Sequence, residues 1–289
     1  PCTDPFQTRG QPNGTRGPAC WHTVARMAPI PDPMLRVDLA GMPLVTPVIL
    51  AAGTAGVLDE MSEQLDLARV GALVTKSITP EPREGNRAWR VWPTKVGMLN
   101  AIGLANPGID AFMRDHAPRA AGLPCRVIGS IAGFSVEDYT RVASAFDTCE
   151  GIVGAELNVS CPNVHGGVEF GSEPGLLGEL VARVRAELKN TKLLVKLPPV
   201  TTPAPHSIVD LARAAIDAGA DALCLCNTTP AIAIDVRTRP PVLGNTTGGL
   251  PGAAVHAQAV KIGDAVYRLV ARDPDLPIRG TAGETGPHD

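Results

Sequence analysis

Short runs of aliphatic and β-branched residues alternate with amphipathic segments along the chain from Leu35 onward. The short runs end in polar residues or glycine, which is typical of strands that lead into loops. They predict strands over residues 47–53, 72–77, 125–133, 155–160, 192–197, 222–227 and 277–280. Apolar residues at spacings of three and four predict helices over residues 62–69, 136–146, 176–189, 207–218 and 253–269. Regular alternation of strands and helices predicts an α/β fold with a parallel sheet.

Two architectures have this order of elements, an open doubly wound sheet and a closed (β/α)8 barrel. The chain has no GxGxxG motif after its first predicted strand and no P-loop motif. The absence of both phosphate-binding motifs favours the TIM barrel. In such barrels the chemistry lies at the carboxyl ends of the strands.

The first 33 residues differ from the rest, because they are rich in proline, glycine and polar residues and have no apolar period. They predict a disordered extension over residues 1–33, followed by a barrel domain over residues 34–289. Arginines in this segment would suit a targeting peptide, but Asp4, the prolines and the missing amphipathic pattern argue against one.

Composition excludes several classes of function. With 26 Lys+Arg against 29 Asp+Glu, the net charge of -3 gives no basic surface for a nucleic acid. Prolines and glycines interrupt the most apolar stretch, residues 42–58, which is therefore no membrane helix of about 20 apolar residues. The seven cysteines are scattered without CxxC spacing, so we expect no metal site and a reducing, cytoplasmic location.

Polar side chains gather where the predicted strands end. These residues are Thr75, Lys76, Ser77, Ser130, Asn158, Ser160, Cys161, Asn163, Lys196, Asn227, Thr228 and Thr229. Carboxylates are nearly absent among them, so metal-assisted chemistry and hydrolysis by paired carboxylates are poorly supported. Lysines and carboxamides suit an anion or an electron-rich ring. Surface lysines are common, but Lys76 and Lys196 lie in the apolar runs VTKS and LVKL, which favours a functional role.

Six segments carry a resemblance to a known family. They are VTKSITPEPREGN (74–86), GMLNAIGLANPGIDAF (97–112), IAGFSVEDY (131–139), ELNVSCPNVHGG (156–167), VKLPP (195–199) and TGGLPG (247–252). Together they resemble dihydroorotate dehydrogenase over residues 35–286. NVSCPN and MLNAIGL are similar to the cytosolic class 1 enzymes, and GMLNAIGLANPG is most like the NAD-linked class 1B catalytic subunit.

The resemblance implies an FMN-dependent oxidation of dihydroorotate to orotate in pyrimidine biosynthesis. A base removes a proton from carbon 5 while hydride leaves carbon 6 for FMN, and Cys161 matches that base. A free cysteine is more often a buried structural thiol, but the NVSCPN setting outweighs this reading. Class 1B enzymes work with a second subunit that carries FAD and an iron–sulfur cluster, so the resemblance implies such a partner and NAD⁺ as the final acceptor.

The resemblance also assigns the binding residues. Substrate would be held by Lys76, Asn100, Ala101, Ile102, Gly103, Leu104, Asn158, Asn163, Asn227 and Thr228. FMN would be held by Ala52, Gly53, Lys76, Ser77, Ser130, Asn158, Lys196, Cys226, Gly252, Ala282 and Gly283. Carboxamides suit the pyrimidine because each offers donors and an acceptor.

Four features depart from the family's pattern. Ala52 and Ser130 stand where the family usually has serine and asparagine, which puts two flavin hydrogen bonds in doubt. Ala282 replaces a glycine of the first phosphate loop. The sequence stops at Asp289, so we expect a barrel truncated after its seventh strand, with an open sheet edge. Cys224 and Cys226 form a CxC pair that we interpret as core thiols.

Other functions stay open. A dihydropyrimidine dehydrogenase-type FMN subunit would share the barrel and the cysteine but act on uracil or thymine. A degenerate barrel could bind a pyrimidine or a partner without turnover. The sequence does not decide between NAD⁺ and fumarate as the final acceptor, or between a homodimer and a heterotetramer.

Overall fold

The computed structural model describes residues 33–95, 97–160, 170–201, 205–270 and 278–280. The strands are β1 (Val37–Leu39), β2 (Met42–Leu44), β3 (Ile49–Leu50), β4 (Ala72–Val74), β5 (Val91–Thr94), β6 (Gly97–Asn100), β7 (Arg126–Ile131), β8 (Ile152–Asn158), β9 (Lys192–Lys196), β10 (Ala222–Leu225), β11 (Thr229–Ile232), β12 (Thr247–Leu250) and β13 (Ile278–Gly280). The α-helices are α1 (Ile109–Asp115), α2 (Ala117–Ala120), α3 (Val136–Asp147), α4 (Pro174–Glu187), α5 (Ile208–Asp217) and α6 (His256–Val270). Apart from Pro33, the extension predicted for residues 1–33 lies outside the described residues.

A seven-stranded sheet forms the centre of the fold, in the order β3-β4-β7-β8-β9-β10-β13. Every neighbouring pair in it is parallel. The spatial order follows the chain order, whereas a doubly wound sheet reverses its order at a switch point. The strands predicted from the sequence are confirmed, and the architecture is a TIM-like α/β fold.

The side chains of the central strands alternate between two environments. Leu73, Val127 and Leu193 belong to the main hydrophobic cluster, which the helices cover. Their neighbours Ala72 and Leu194 belong to a second, inner cluster. The strands therefore have an outer face against the helices and an inner face that the curved sheet encloses.

A hairpin of β1 and β2 closes the amino-terminal end of this interior. Leu39, Met42 and Leu44 are buried in the inner cluster. The two-residue turn has Ala40 and Gly41 at positive φ, which is typical of tight hairpins. The hairpin was not predicted, because its strands are too short for a period to be recognised.

The four longest helices cover the outer face and begin where their sequences predict. Ser135 caps α3 by accepting a hydrogen bond from the amide of Asp138. Ser207 and Asp210 form a reciprocal capping box at the start of α5. The helices predicted over residues 136–146, 176–189, 207–218 and 253–269 are confirmed to within a few residues, and a 3₁₀ turn at Gly252–Val255 precedes α6.

The helix predicted over residues 62–69 is wrong. Only a 3₁₀ turn at Leu67–Arg69 forms there. The side chain of Asp66 accepts a hydrogen bond from the amide of Ala68. This bond competes with the backbone hydrogen bonds of a continuous helix, so a separate turn begins at Asp66. Two turns of apolar spacing cannot offset the cost of nucleating a helix. The short helices α1 and α2 were not predicted.

A second sheet, in the order β11-β12-β6-β5, is antiparallel. Its strands come from the loops after β4 and β10, at the carboxyl ends of the central strands. The pairing of Gly249 with Asn100 joins the two loops. No helix in the described part of the chain is long and apolar enough to cross a membrane.

Candidate active site

The inner face of the central sheet changes from apolar to polar toward the carboxyl ends of its strands. Ser130 on β7, Glu156 and Asn158 on β8, and Lys196 on β9 are all buried. They continue the alternation that places Ile128 and Leu194 in the inner cluster. Strand periodicity therefore brings hydroxyl, carboxamide, carboxylate and ammonium groups from three neighbouring strands together.

A cavity of about 520 Å³ opens at this end of the sheet. It lies within the range of about 300–1,000 Å³ that is typical of small-molecule sites. The predicted site residues that line it are Ala52, Lys76, Ser77, Asn100, Ala101, Ile102, Gly103, Leu104, Asn158, Lys196, Asn227 and Thr228. Residues from strands far apart in sequence thus share one cavity.

Asn158 is the centre of a hydrogen-bond network in the cavity wall. Its Nδ2 donates to Ser77 Oγ at 3.3 Å, and the hydroxyls of Ser77 and Ser130 are 2.9 Å apart. Its Oδ1 accepts from Ser160 Oγ at 3.2 Å and from Asn227 Nδ2 at 3.3 Å. The network fixes the orientation of the Asn158 carboxamide and ties together the ends of four strands.

Asn227 and Asn100 are also held by hydrogen bonds. Asn227 donates through Nδ2 to Ser160 Oγ at 2.6 Å, and its Oδ1 accepts from the amide of Thr228 at 2.8 Å. Asn100 donates through Nδ2 to the carbonyl of Gly249 at 3.2 Å. The carboxamides are therefore positioned before any ligand binds.

Lys196 and Glu156 form an ion pair at the inner end of the cavity. Their Nζ and Oε1 atoms are 3.7 Å apart, and the side chains are 10% and 2% exposed. Burial by itself would lower the pKa of Lys196, but the nearby Glu156 carboxylate offsets the effect of burial and raises that pKa. Lys196 therefore has a neighbouring carboxylate that favours its charged form.

Lys76 has a different environment, although it lines the same cavity. Among the described residues no carboxylate lies within ion-pair distance of it. Burial lowers the pKa of Lys76. Its aliphatic stem passes over Gly53, where a Cβ atom would lie 2.9 Å from Lys76 Cδ. Glycine at this position, with φ of +73°, makes room for the lysine.

Two arginines near the cavity were not predicted as site residues. The guanidinium of Arg83 lines the cavity and lies 4.7 Å from the centre of the Phe134 ring. Arg90 donates to the carbonyl of Asn86, whose Nδ2 donates to the carbonyl of Ala101. Arg83 lies within the segment 74–86 that carries the resemblance, but the sequence analysis inferred no role for this residue.

Some predicted site residues do not line the cavity. Gly53 and Ser130 support residues that do, through the contacts above. Cys226 is buried, and burial raises the pKa of its thiol to about 11 although the charge of Lys196 opposes this, so the thiol stays protonated. Gly252 begins the 3₁₀ turn before α6. Cys161, Asn163, Ala282 and Gly283 lie outside the described residues.

The sequence model described as dihydroorotate dehydrogenase matches residues 34–289. The chain belongs to the dihydroorotate dehydrogenase family. A relative from Desulforudis audaxviator, named dihydroorotate dehydrogenase B (NAD(+)), catalytic subunit, is 46% identical over 250 residues, which are 86% of this chain and 78% of the relative. A relative of the same name from Pelobacter propionicus is 42% identical over 258 residues, which are 89% of this chain and 82% of the relative.

Among solved structures, dihydroorotate dehydrogenase from Eimeria tenella in complex with ferulenol has a TM-score of 0.70 to this chain. The two are 21% identical, and the match covers 88% of this chain and 74% of the other. At this identity the likeness supports the fold alone. The resemblance inferred from the six sequence segments, including the similarity to the NAD-linked branch, is confirmed by the family match and the relatives' names.

Within this dihydroorotate dehydrogenase family member, the described residues offer complementary groups in one cavity. Lys76, Lys196 and Arg83 supply positive charge, while Asn100, Asn158 and Asn227 supply carboxamides. Such a site suits a planar heterocycle with ring amides and a carboxylate, beside a ring that gains negative charge during the reaction.

Proposed function

We propose that this chain is the catalytic subunit of an NAD-linked dihydroorotate dehydrogenase, which oxidises dihydroorotate to orotate in pyrimidine biosynthesis. The observation that carries the proposal is the cavity of about 520 Å³, where two lysines and three carboxamides converge at the carboxyl ends of the strands. These residues occur in a chain that matches the family over residues 34–289.

FMN fits the cation-lined part of the cavity. The residues that would hold it are Ala52, Lys76, Ser77, Asn158 and Lys196, all on the cavity wall, with Gly53, Ser130 and Cys226 behind them. When bound, FMN supplies the hydride acceptor. The Glu156 carboxylate favours the charged form of Lys196, which would stabilise negative charge on the flavin.

The substrate would lie against the carboxamides and the loop of residues 101–104. Asn100, Asn158 and Asn227 can donate to carbonyl oxygens and accept from ring amides. Lys76 would pair with the substrate carboxylate, which gives this lysine the anionic partner that the described residues do not supply. Asn163, outside the described residues, would complete the set.

Cys161 would act as the base that removes the proton from carbon 5. It directly follows Ser160, which lines the cavity and accepts a hydrogen bond from Asn227. A cysteine thiol is mostly protonated at neutral pH, so the base requires nearby positive charge to lower its pKa. Lys76, with no carboxylate partner among the described residues, is the candidate for this charge.

The reaction is tested by reducing the bound flavin without oxygen. The purified chain, reconstituted with FMN, is mixed with dihydroorotate or dihydrouracil, and flavin absorbance is followed. We expect bleaching with dihydroorotate only. Bleaching with dihydrouracil only would assign the chain to the dihydropyrimidine dehydrogenase type. FMN binding without bleaching by either substrate would favour a non-catalytic barrel.

The final acceptor is tested separately. A second subunit carrying FAD and an iron–sulfur cluster would pass electrons to NAD⁺, so the isolated chain should reduce an artificial dye but not NAD⁺. Rapid NAD⁺ reduction by the isolated chain would contradict the two-subunit arrangement. Fumarate-dependent turnover would assign it to the fumarate-linked class. Size-exclusion chromatography with and without the partner distinguishes a homodimer from a heterotetramer.

A further inference from the structure

Glu156 is a buried carboxylate that the proposed reaction does not use. It lies on the inner face of β8, next to Asn158 on the same face, and is 2% exposed. Glu156 is paired in the sheet with Leu194 and Asn158 with Lys196, so Glu156 and Lys196 are diagonal neighbours across two parallel strands. The sheet register itself holds their charged ends together.

The ion pair between Glu156 and Lys196 contributes little to the stability of the fold. The Nζ–Oε1 distance of 3.7 Å is longer than a hydrogen bond, and Oε1 has no hydrogen-bond partner among the described residues. Removing two charges from water costs several kcal/mol per ion, and an imperfectly satisfied pair recovers only part of that. A role in function is therefore the better explanation for a carboxylate at this position.

The contrast between the two lysines indicates what that role is. Lys76 lines the same cavity, but within the described chain only Lys196 has a buried carboxylate beside it. The other titratable groups that face Lys196 are Cys224 on β10 and Cys226, which directly follows β10. Both thiols are buried, and the Cys226 thiol is protonated at neutral pH. Glu156 is thus the negative charge that balances Lys196.

We propose that Glu156 is a positioning residue that keeps Lys196 as a fixed ammonium ion at the flavin end of the cavity. The inference rests on the proposed flavin function for its consequence, but the protonation of Lys196 can be measured without flavin. In Glu156→Gln, the desolvation of Lys196 is no longer offset, so the neutral amine becomes the favoured form at a lower pH. The local positive charge then depends on pH.

The first measurement reads the protonation of Lys196 directly. The full chain without flavin is labelled with ¹³Cε-lysine, and the Lys196 resonance is assigned with Lys196→Met. We expect wild type and Glu156→Asp to stay charged between pH 6 and 9, whereas Glu156→Gln loses its proton within this range. Glu150→Gln, at an exposed carboxylate, is the matched control. An unchanged Lys196 titration in Glu156→Gln would overturn the proposal.

The second measurement reads the consequence for the flavin. Above the pH at which Lys196 loses its proton in Glu156→Gln, we expect the FMN affinity of this variant to fall about tenfold per pH unit until it reaches the affinity of the form with a neutral amine. Wild type and Glu156→Asp should show no such pH dependence. The slope should be absent from Glu156→Gln/Lys196→Met, because the titrating amine is gone. FMN binding with the same pH profile in all variants would refute the link to the flavin. Failure of wild type to bind FMN would refute the proposed function, while the resonance titration would still decide the role of Glu156.

Discussion

The network around Asn158 gives a prediction whose size follows from the structure. Asn158→Ala removes three side-chain hydrogen bonds, to Ser77, Ser160 and Asn227. At about 1 kcal/mol each, their loss would reduce the free energy of unfolding by about 3 kcal/mol. Ser77 keeps its bond to Ser130, however, and Ser160 keeps its bond to Asn227. Because few groups are left without any partner, we expect a loss nearer about 2 kcal/mol.

Urea unfolding of the flavin-free chain measures this loss, and a double-mutant cycle isolates the contact with Asn227. Asn227→Ala and the double variant should show a coupling energy of about 1 kcal/mol. Gln64→Ala, at an exposed carboxamide, should change the free energy of unfolding by less than about 0.5 kcal/mol. A coupling near zero, or equal effects at positions 158 and 64, would refute the network as a structural unit of the site.

Three further predictions concern the site and the core. Burial lowers the pKa of Lys76, so the free energy of unfolding should rise as the pH increases from the folded-state pKa of Lys76 toward its unfolded-state value. In urea unfolding from pH 7 to 10, Lys76→Met should abolish this pH dependence, whereas Lys95→Met, at an exposed lysine, should retain it. Gly129→Ala would place a methyl group against the Phe146 ring and should destabilise the fold by about 1–3 kcal/mol. At Gly263 in α6 an added methyl group would meet nothing within 4 Å, so Gly263→Ala should stabilise the fold by about 0.5–1 kcal/mol. Thermal unfolding in which both variants shift the stability in the same direction would contradict the packing. Cys161→Ser should slow flavin reduction by dihydroorotate severely at neutral pH, because a hydroxyl is a much weaker base, and stopped-flow rates equal to wild type would remove Cys161 from the base role.

The sequence predicts the central sheet well, because its strands are largely apolar and lie between helices with clear periods. β8, for example, is buried along nearly its whole length. The antiparallel strands β5, β6, β11 and β12 could not be predicted in the same way. Each has only four residues, contains either glycine or proline, and is mostly exposed or half-buried, so its sequence has neither a clear alternation nor a continuous apolar run.

Residue type and motif together predicted several residues that line the cavity, whereas contacts that only the folded chain creates were not predicted. Asn100 and Asn158 were recognised within motifs, and the structure places both on the cavity wall. Arg83 was not predicted to line the cavity, because an arginine in a loop is usually solvated and its contact with Phe134 is visible only in the structure. Glu156 was quoted within ELNVSCPN without a role, because the alternation that turns it inward acquires meaning only once Lys196 is its neighbour.

The position of Glu156 also fits the different roles proposed for the two lysines of the cavity. A cation that must stabilise negative charge on a flavin works best if it does not titrate, which requires a counter-charge that the solvent cannot screen. A cation that must bind and release an anionic substrate works best without a permanent partner, because a carboxylate beside it would compete with the substrate. In the proposed site, Lys196 would meet the first requirement and Lys76 the second, and both residues line the cavity. Moving the carboxylate from β8 to a position beside Lys76 should therefore weaken substrate binding and flavin binding together, although the total charge of the cavity would not change.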